Sequence, residues 1–255
     1  MMPHQLNWRE ICQMIPKRKA DAQKGDFGRL LCITGSRNMP GACLLSTQAA
    51  LRGGAGLVTV ATAPENPMRL AAAAPEAMWL PLETDEAGFL RSSDQNRKTL
   101  EKQLSRANAV LLGCGLGVTE ETRRLVHWVL EQAVCPVVLD ADGLNCAVSC
   151  IELSRRTGKD WILTPHPGEM ARLTGRSIPQ IQENRVETAT QFAAAYPVTL
   201  ALKGAGTLVA QGSRLAQNPT GNPGMSRGGS GDVLAGLIAA FAAQGIPSWE
   251  AACAG

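Results

Sequence analysis

The glycine-rich segment 228–232, which reads Gly-Gly-Ser-Gly-Asp, is the stretch of this sequence best suited to chemistry. Its three glycines let the backbone approach a ligand closely and turn N–H groups towards it. The segment leads directly into an apolar run, 233–238, that is typical of a helix. Because the N-terminus of a helix attracts anions, the segment predicts a phosphate cradle with the Asp232 carboxylate beside it.

Asp232 itself has two interpretations. Aspartate is a favoured N-cap residue, so its role could end at starting the helix. A cap does not need the glycines that precede it, whereas a general base beside a phosphate cradle explains both features. We therefore favour catalysis, in which the carboxylate accepts a hydroxyl proton while the N–H groups hold the charge on a transferred phosphoryl group.

Four other loops of unusual composition each follow a short apolar run, at residues 35–42, 113–117, 140–145 and 164–169. The G-x-G-x-G spacing at 113–117 differs from the dinucleotide fingerprint G-x-G-x-x-G, and the sequence has no G-x-x-x-x-G-K-[ST] phosphate loop. Asp140 and Asp142 could cap a helix or orient other groups, and nothing in the local sequence separates these roles.

Three further features each have a structural and a chemical interpretation, and the sequence leaves both open. His166 lies between two prolines that fix its backbone, and its imidazole either makes a structural hydrogen bond or contacts a ligand. Glu169 either caps the next helix or orients a metal or a water near phosphates. The segment 203–207 (Lys-Gly-Ala-Gly-Thr) is either a glycine turn with an exposed lysine or a set of contacts to a nucleotide.

The elements that must position these loops alternate between strand-like and helix-like segments. Strands are predicted at 29–34, 57–61, 76–82, 109–112, 136–139, 161–164, 198–202, 207–210 and 214–216. Helices are predicted at 41–52, 93–105, 120–131 and 231–244, with a helix pair over 168–196 and a last helix starting near Ser248. This alternation predicts an α/β fold with a mostly parallel sheet and helices on both faces. Ligands bind such sheets beyond the carboxyl ends of the strands, where the loops above would lie.

Composition narrows the class of protein. Alanine (36) and glycine (26) fill 62 of 255 positions beside only ten aromatic residues, which predicts close packing of helices on a sheet and argues against a β-sandwich. Eight cysteines without C-x-x-C spacing indicate reduced, buried thiols, and three scattered histidines predict no zinc site. A net charge of +3 without a long basic run predicts that the protein has no nucleic-acid partner. The apolar segments are too short to predict a membrane span. We expect a cytoplasmic protein.

The loops together resemble a known family. Segment 228–232 resembles the anion-hole and catalytic-base motif of ribokinase-like kinases, and T-P-H-P-G-E at 164–169 is similar to the T-P-N-x-x-E segment of their vitamin-kinase branch. The histidine variant, with K-G-A-G-T at 203–207, D-A-D-G-L-N at 140–145 and N-P-T-G-N-P-G-M at 218–225, resembles the ADP/ATP-dependent NAD(P)H-hydrate dehydratases. The resemblance runs from about Lys24 to Gln244 and implies a ribokinase-like three-layer sandwich.

The resemblance also implies a reaction. Such enzymes phosphorylate the C6 hydroxyl of the S-epimer of hydrated NADH or NADPH with ADP or ATP, and loss of phosphate restores the nicotinamide. Phosphoryl transfer makes Mg²⁺ the expected metal. The family's usual assembly implies a homotetramer, and we expect residues 1–255 to form a single domain whose C-terminal helix is cut short.

Roles for individual residues follow from the resemblance alone. The implied catalytic residues are Asp232 as base and Gly229, Ser230 and Gly231 as anion hole. The implied nucleotide contacts are Lys203, Gly204, Ala205, Gly206, Thr207 and Gly231. The implied contacts to the hydrated dinucleotide are Ala42, Gly117, His166 and Asp232, with Glu169 orienting metal or phosphate. Cys114 stands where the family usually has proline, which we expect to change loop stiffness more than contacts.

Two rival functions remain at this point. The first is a ribokinase-like kinase that releases a phosphorylated small alcohol, such as a vitamin precursor. The second is a non-catalytic nucleotide-binding or regulatory protein, against which the intact Asp232 argues. The histidine at 166 and the segment 203–207 favour repair of hydrated dinucleotides over both.

Overall fold

Ten strands form one sheet in the computed structural model, which describes residues 2–255. The strands are β1 (His4–Gln5), β2 (Arg29–Ile33), β3 (Leu57–Thr62), β4 (Met78–Pro81), β5 (Ala109–Leu112), β6 (Val137–Leu139), β7 (Trp161–Leu163), β8 (Val198–Leu202), β9 (Leu208–Gln211) and β10 (Arg214–Gln217). Their spatial order is β1-β10-β9-β8-β7-β6-β5-β2-β3-β4. Strands β2 to β8 are mutually parallel, and β9 is antiparallel to both β8 and β10.

Twelve α-helices cover the two faces of this sheet within the described residues. They are α1 (Trp8–Met14), α2 (Pro40–Arg52), α3 (Asn66–Leu70), α4 (Asp94–Leu104), α5 (Glu120–Gln132), α6 (Asp142–Ala147), α7 (Leu153–Thr157), α8 (Pro167–Thr174), α9 (Ile178–Glu183), α10 (Arg185–Ala195), α11 (Ser230–Ala243) and α12 (Ser248–Ala254). One apolar core joins the sheet to α4, α5, α6, α8 and α10, and a second joins its other face to α2, α11 and α12. The predicted α/β architecture with helices on both faces is confirmed.

Most predicted elements lie within three residues of their observed bounds. The helix pair predicted over 168–196 is wrong, because three helices, α8 to α10, occupy that stretch. Gly175 ends α8 in the left-handed region, at φ 70°, and Asn184 separates α9 from α10. Strand β1 and the helices α1, α3, α6 and α7 were not predicted, because two polar residues or a helix of one or two turns give too little periodicity.

Helices α2 and α11 pack unusually close, and small residues at their contact allow it. A Cβ built on Gly236 of α11 would lie 2.2 Å from the carbonyl oxygen of Ser46 in α2. A second close contact lies at the end of α2, where a Cβ built on Gly53 would lie 2.9 Å from the Cβ of Ala240 in α11. The abundance of alanine and glycine therefore sets the position of α11, whose first turn carries Asp232.

The strand order reverses between β2 and β5, which lie side by side although β3 and β4 separate them in sequence. The two loops that follow these strands are joined by backbone hydrogen bonds. The N–H of Gly35 donates to the carbonyl of Cys114 at 2.8 Å, and that of Ser36 donates to Gly115 at 2.7 Å. A switch of this kind leaves a crevice at the carboxyl edge of the sheet, where ligands bind.

All eight cysteines are free thiols. Six are buried, as predicted, whereas Cys12 is exposed and Cys135 is half-buried. Among residues 2–255, none of the helices combines the length and apolar character that crossing a bilayer would require.

We predict that Gly236→Ala lowers the free energy of unfolding by about 1–3 kcal/mol, because the new methyl group meets the backbone of Ser46. Denaturant unfolding measures the change. Gly25→Ala is the matched control, since a Cβ there meets nothing within 4 Å. Equal stability of the two variants would contradict the packing account.

Candidate active site

A buried ion pair connects the loops that follow β6 and β8. The Nζ atom of Lys203 lies 2.6 Å from Oδ1 of Asp140, and the same oxygen accepts a hydrogen bond from Oγ1 of Thr164 at 2.7 Å. The side chains of Asp140 and Lys203 are only 2% and 17% exposed. The interpretation of Lys203 as an exposed lysine in a glycine turn is therefore wrong.

Glu169 adds a second carboxylate to this pair, with Oε2 at 3.7 Å from the Lys203 Nζ. Burial alone would lower the pKa of Lys203, but Asp140 and Glu169 outweigh it, so the pKa is raised. Burial raises the pKa of Glu169 although Lys203 opposes the shift. The neighbouring carboxylates thus favour the charged ammonium form of Lys203.

Asp232 faces this pair from the first turn of α11. The helix begins at Ser230 and its N-cap is Gly229, at φ 93°, so Asp232 is the third helical residue and the N-cap interpretation is wrong. An oxygen of Asp232, an oxygen of Asp140 and the Sγ atom of Cys114 all lie within 4.8 Å of one another. The structure therefore brings Asp232 to the carboxyl edge of the sheet.

The surroundings of Asp232 suit a general base. Burial raises the pKa of its carboxyl group, and the neighbouring Asp140 raises it further, while Cys114 and Lys203 act in the opposite direction. A carboxylate whose pKa moves towards neutrality accepts a proton more readily than an exposed one and still ionises above that pKa. A base at this position would lose activity as the pH falls through its raised pKa.

The predicted phosphate cradle lies over the Lys203–Asp140 pair. A Cβ built on Gly231 would be 3.3 Å from the Lys203 Nζ and 3.8 Å from Oδ2 of Asp140. The N–H groups of the first turn of α11 have no partner within the helix. The hydroxyl of Ser230 donates to the carbonyl of Met225 at 2.8 Å and so ties the preceding loop to the helix. An anion at this turn would meet the dipole of α11 and the ammonium of Lys203 together.

The segment 203–207 is fixed by Arg185, which the sequence analysis missed. The guanidinium donates to the carbonyl of Ala205 at 2.6 Å and to that of Leu202 at 3.1 Å. The N–H of Lys203 donates to the carbonyl of Pro165 at 2.9 Å. No motif marks Arg185, because a single arginine at a helix start is ordinary in sequence. The hydrogen bonds from Arg185 and the bond between Lys203 and Pro165 hold this loop in place.

His166 and Glu169 form a reciprocal cap at the start of α8. The Nδ1 atom of His166 accepts hydrogen bonds from the N–H of Gly168 at 2.9 Å and of Glu169 at 3.3 Å. In return, Oε2 of Glu169 accepts from the N–H of His166 at 2.7 Å. The structural interpretation of both residues is therefore observed. The imidazole is half exposed, so its outer edge stays accessible to a ligand.

Gly117 lies on the loop after β5, and Ala42 lies in the first turn of α2, both beside the strand-order reversal. A Cβ built on Gly115 would lie 2.9 Å from the Cβ of Ala42, so that loop touches α2. The N–H of Gly117 donates to Oδ2 of Asp142 at 2.8 Å, which gives Asp142 the orienting role. A Cβ on Gly117 would meet the ring of Phe89 at 2.3 Å, so glycine is required there.

Backbone strain accompanies these contacts after β6. Ala141, between the two aspartates, is the one described residue other than glycine with a positive φ, at 50°. Such strain costs of the order of 1–3 kcal/mol and often marks functional sites. Here it turns Asp140 towards Lys203 and Asp142 towards Gly117.

Cys114 makes a side-chain contact, whereas we expected its main effect on loop stiffness, which the structure does not test. Its Sγ atom lies 3.7 Å from Oδ2 of Asp140 and is completely buried. The position was noticed in the sequence only because the resembling family has proline there. The contact with Asp140 could not be read from spacing, since 26 residues separate the two.

Comparison with known proteins agrees with this geometry. The model of the NAD(P)H-hydrate dehydratase family matches residues 30–255. The bifunctional NAD(P)H-hydrate repair enzyme Nnr of Coxiella burnetii is 39% identical over 251 residues, covering 98% of this chain and 48% of that protein. The ADP-dependent (S)-NAD(P)H-hydrate dehydratase of Neisseria meningitidis is 38% identical over 243 residues, covering 93% and 77%. The chain spans about half the length of the bifunctional relatives that it matches.

Solved structures of dehydratases and other ribokinase-like proteins also resemble this chain. The ADP/ATP-dependent NAD(P)H-hydrate dehydratase from Bacillus subtilis, co-crystallized with ATP/Mg²⁺, has a TM-score of 0.82 and 30% sequence identity. The match covers 100% of this chain and 86% of that chain. Structures of the ribokinase-like superfamily share this fold, which confirms the predicted superfamily.

We predict that Lys203→Met lowers the free energy of unfolding by about 3–5 kcal/mol, because it leaves the buried Asp140 without its partner. The exposed pair of Arg124 with Glu120 provides the control, and Arg124→Met should cost about 0.5 kcal/mol or less. Denaturant unfolding compares the two. The double variant Asp140→Asn with Lys203→Met should recover much of the loss. A Lys203 variant no less stable than the Arg124 variant would contradict the role of the pair.

Proposed function

The chain belongs to the NAD(P)H-hydrate dehydratase family, and from this premise we propose that it restores NADH or NADPH from the S-epimer of the hydrated dinucleotide, with ADP or ATP as phosphoryl donor. The observation that carries the proposal is the placement of Asp232, in the first turn of α11, beside the buried Lys203–Asp140 pair. A base, an anion-binding turn and a fixed ammonium group in one place are what phosphoryl transfer to a hydroxyl needs.

In the first step, the C6 hydroxyl of the hydrate attacks the terminal phosphoryl group of the nucleotide. Asp232 accepts the hydroxyl proton, and the bond between the terminal phosphorus and the bridging oxygen breaks. The N–H groups of Gly229, Ser230 and Gly231 hold the negative charge that spreads over the phosphoryl oxygens. The ammonium of Lys203 adds a positive charge beneath that turn.

In the second step, the C6–O bond breaks as inorganic phosphate leaves, and loss of a proton from the adjacent ring carbon restores the double bond. Phosphate leaves far more easily than hydroxide, which is why phosphorylation serves a dehydration. The products are NADH or NADPH, inorganic phosphate and the nucleotide shortened by one phosphoryl group.

The two substrates take opposite sides of the cradle in this proposal. Segment 203–207, held by Arg185, receives the adenine nucleotide together with Gly231. The hydrated dinucleotide lies against Ala42 and Gly117 at the strand-order reversal, where small residues admit a large ligand. The half-exposed edge of His166 faces that ligand.

The residues present fit a magnesium ion held mainly by nucleotide phosphates and water. The site offers oxygen donors, which Mg²⁺ prefers, and the buried Glu169 lies near the cradle through its 3.7 Å approach to Lys203. Both Glu169 oxygens already lie near His166, so we assign it to orienting ion-bound water rather than direct ligation. When bound, Mg²⁺ neutralises charge on the phosphates.

Several broader properties belong to the same proposal. We assign the described chain to one ribokinase-like dehydratase domain, a view supported by its single continuous sheet. We also propose a homotetramer that works in the cytoplasm, by analogy with the family. Sedimentation and cell fractionation test these two points.

The recovery of reduced-nicotinamide absorbance from the hydrate tests the proposal, with ADP and ATP supplied in turn. We expect recovery that requires a nucleotide and releases one phosphate per dinucleotide restored. No recovery, with nucleotide consumed only when another alcohol is supplied, would overturn the proposal in favour of a ribokinase-like kinase of a vitamin precursor. If neither absorbance recovery nor nucleotide consumption is seen, the result would favour a non-catalytic binding protein.

We predict that Asp232→Asn lowers turnover by roughly 10²–10⁴-fold, because the amide cannot accept the hydroxyl proton. Nucleotide binding, measured by calorimetry, should persist. Asp94→Asn, on the exposed start of α4, is the control and should turn over normally. Full activity of the Asp232 variant would show that another group is the base.

A further inference from the structure

We propose that Cys114 is a positioning residue for the catalytic base, and that its thiol donates a hydrogen bond to the Asp140–Asp232 carboxylate pair and keeps Asp232 ready to accept a proton. The inference rests on the proposed role of Asp232. It concerns a position at which the resembling family usually has proline, and proline has no side-chain donor.

The thiol contacts the Asp140 oxygen that Lys203 and Thr164 do not bond. Oδ1 of Asp140 is taken by Lys203 at 2.6 Å and by Thr164 at 2.7 Å. Oδ2 faces the Sγ atom of Cys114 at 3.7 Å, and an Asp232 oxygen lies within 4.8 Å of both. The thiol therefore lies close to both carboxylates and adds a donor to the one that Lys203 supplies.

The backbone holds Cys114 firmly in this position. Gly113 and Gly115, on either side, have φ values of 135° and 66°, which favour glycine. The carbonyl of Cys114 accepts from the N–H of Gly35 at 2.8 Å. A Cβ on Gly113 would lie 2.0 Å from the carbonyl oxygen of Asp140, so the two loops are in direct contact. The backbone that carries the thiol is thus held in place by the loops after β2 and β6.

The thiol stays protonated, which makes it a donor and not a nucleophile. Burial raises the pKa of Cys114 well above its usual value, and Asp140 and Asp232 raise it further. The hydrogen bond from Cys114 in turn lowers the pKa of Asp232, against the effects of burial and Asp140. The charged or titratable groups that face Asp232 are Cys114 after β5, Asp140 and Asp142 after β6, and Lys203 after β8, with Glu169 of α8 acting through Lys203.

The direct test follows the carboxyl carbon of Asp232 by NMR in protein labelled at aspartate with ¹³C, with the signal assigned through Asp232→Asn. We expect a higher titration midpoint in Cys114→Ala, which lacks the donor, and recovery in Cys114→Ser, which restores one. Cys150→Ala, a buried thiol on α6's side of the sheet, is the control and should leave the midpoint unchanged. This measurement needs no turnover, so it separates failure of the inference from failure of the proposed function.

The kinetic test uses the dependence of kcat/KM on pH in the same variants. In Cys114→Ala the acid limb should move to higher pH, so that activity at low pH falls several-fold while the plateau is kept. Cys114→Ser should restore the limb. Thermal melting confirms that each variant folds. An unchanged midpoint in Cys114→Ala, or a serine variant shifted as far as the alanine variant, would overturn the inference.

Discussion

The buried ion pair of Lys203 with Asp140 is the interaction on which the site depends. A carboxylate on a side chain that is only 2% exposed requires a partner charge, and that partner lies 63 residues away in sequence, directly after β8. The pair therefore fixes the loops after β6 and β8 relative to each other. Thr164 from the loop after β7 joins the same oxygen, so three neighbouring strands end at one electrostatic centre.

Close packing brings the fourth component to that centre. Helix α11 can approach α2 closely because Gly236 has no side chain at the contact. This approach sets where the first turn of α11 lies. The same turn presents Asp232 and the N–H groups to the ion pair. Small residues in the helix layer and glycines in the loops thus serve one purpose, which is to bring backbone and charge together without bulky side chains between them.

The order of strands and the loops at their ends could be predicted, because buried parallel strands are apolar and glycine-rich loops are conspicuous. What spacing could not provide was the pairing of side chains across loops. Spacing left the exposure of Lys203 open, because its neighbours are glycines, and it left an N-cap as the alternative for Asp232, because aspartate is favoured at helix starts. Cys114 and Arg185 act through contacts to distant segments, and no local pattern marks such contacts.

The central claim is that the hydroxyl oxygen of the hydrate is phosphorylated before it leaves. Hydrated NADH prepared in ¹⁸O-labelled water carries the label on that hydroxyl, and mass spectrometry of the released phosphate follows its fate. We predict that each phosphate formed carries one ¹⁸O atom from the substrate. Unlabelled phosphate, with the label appearing in water, would mean that nucleotide cleavage and dehydration are separate events, and would contradict it.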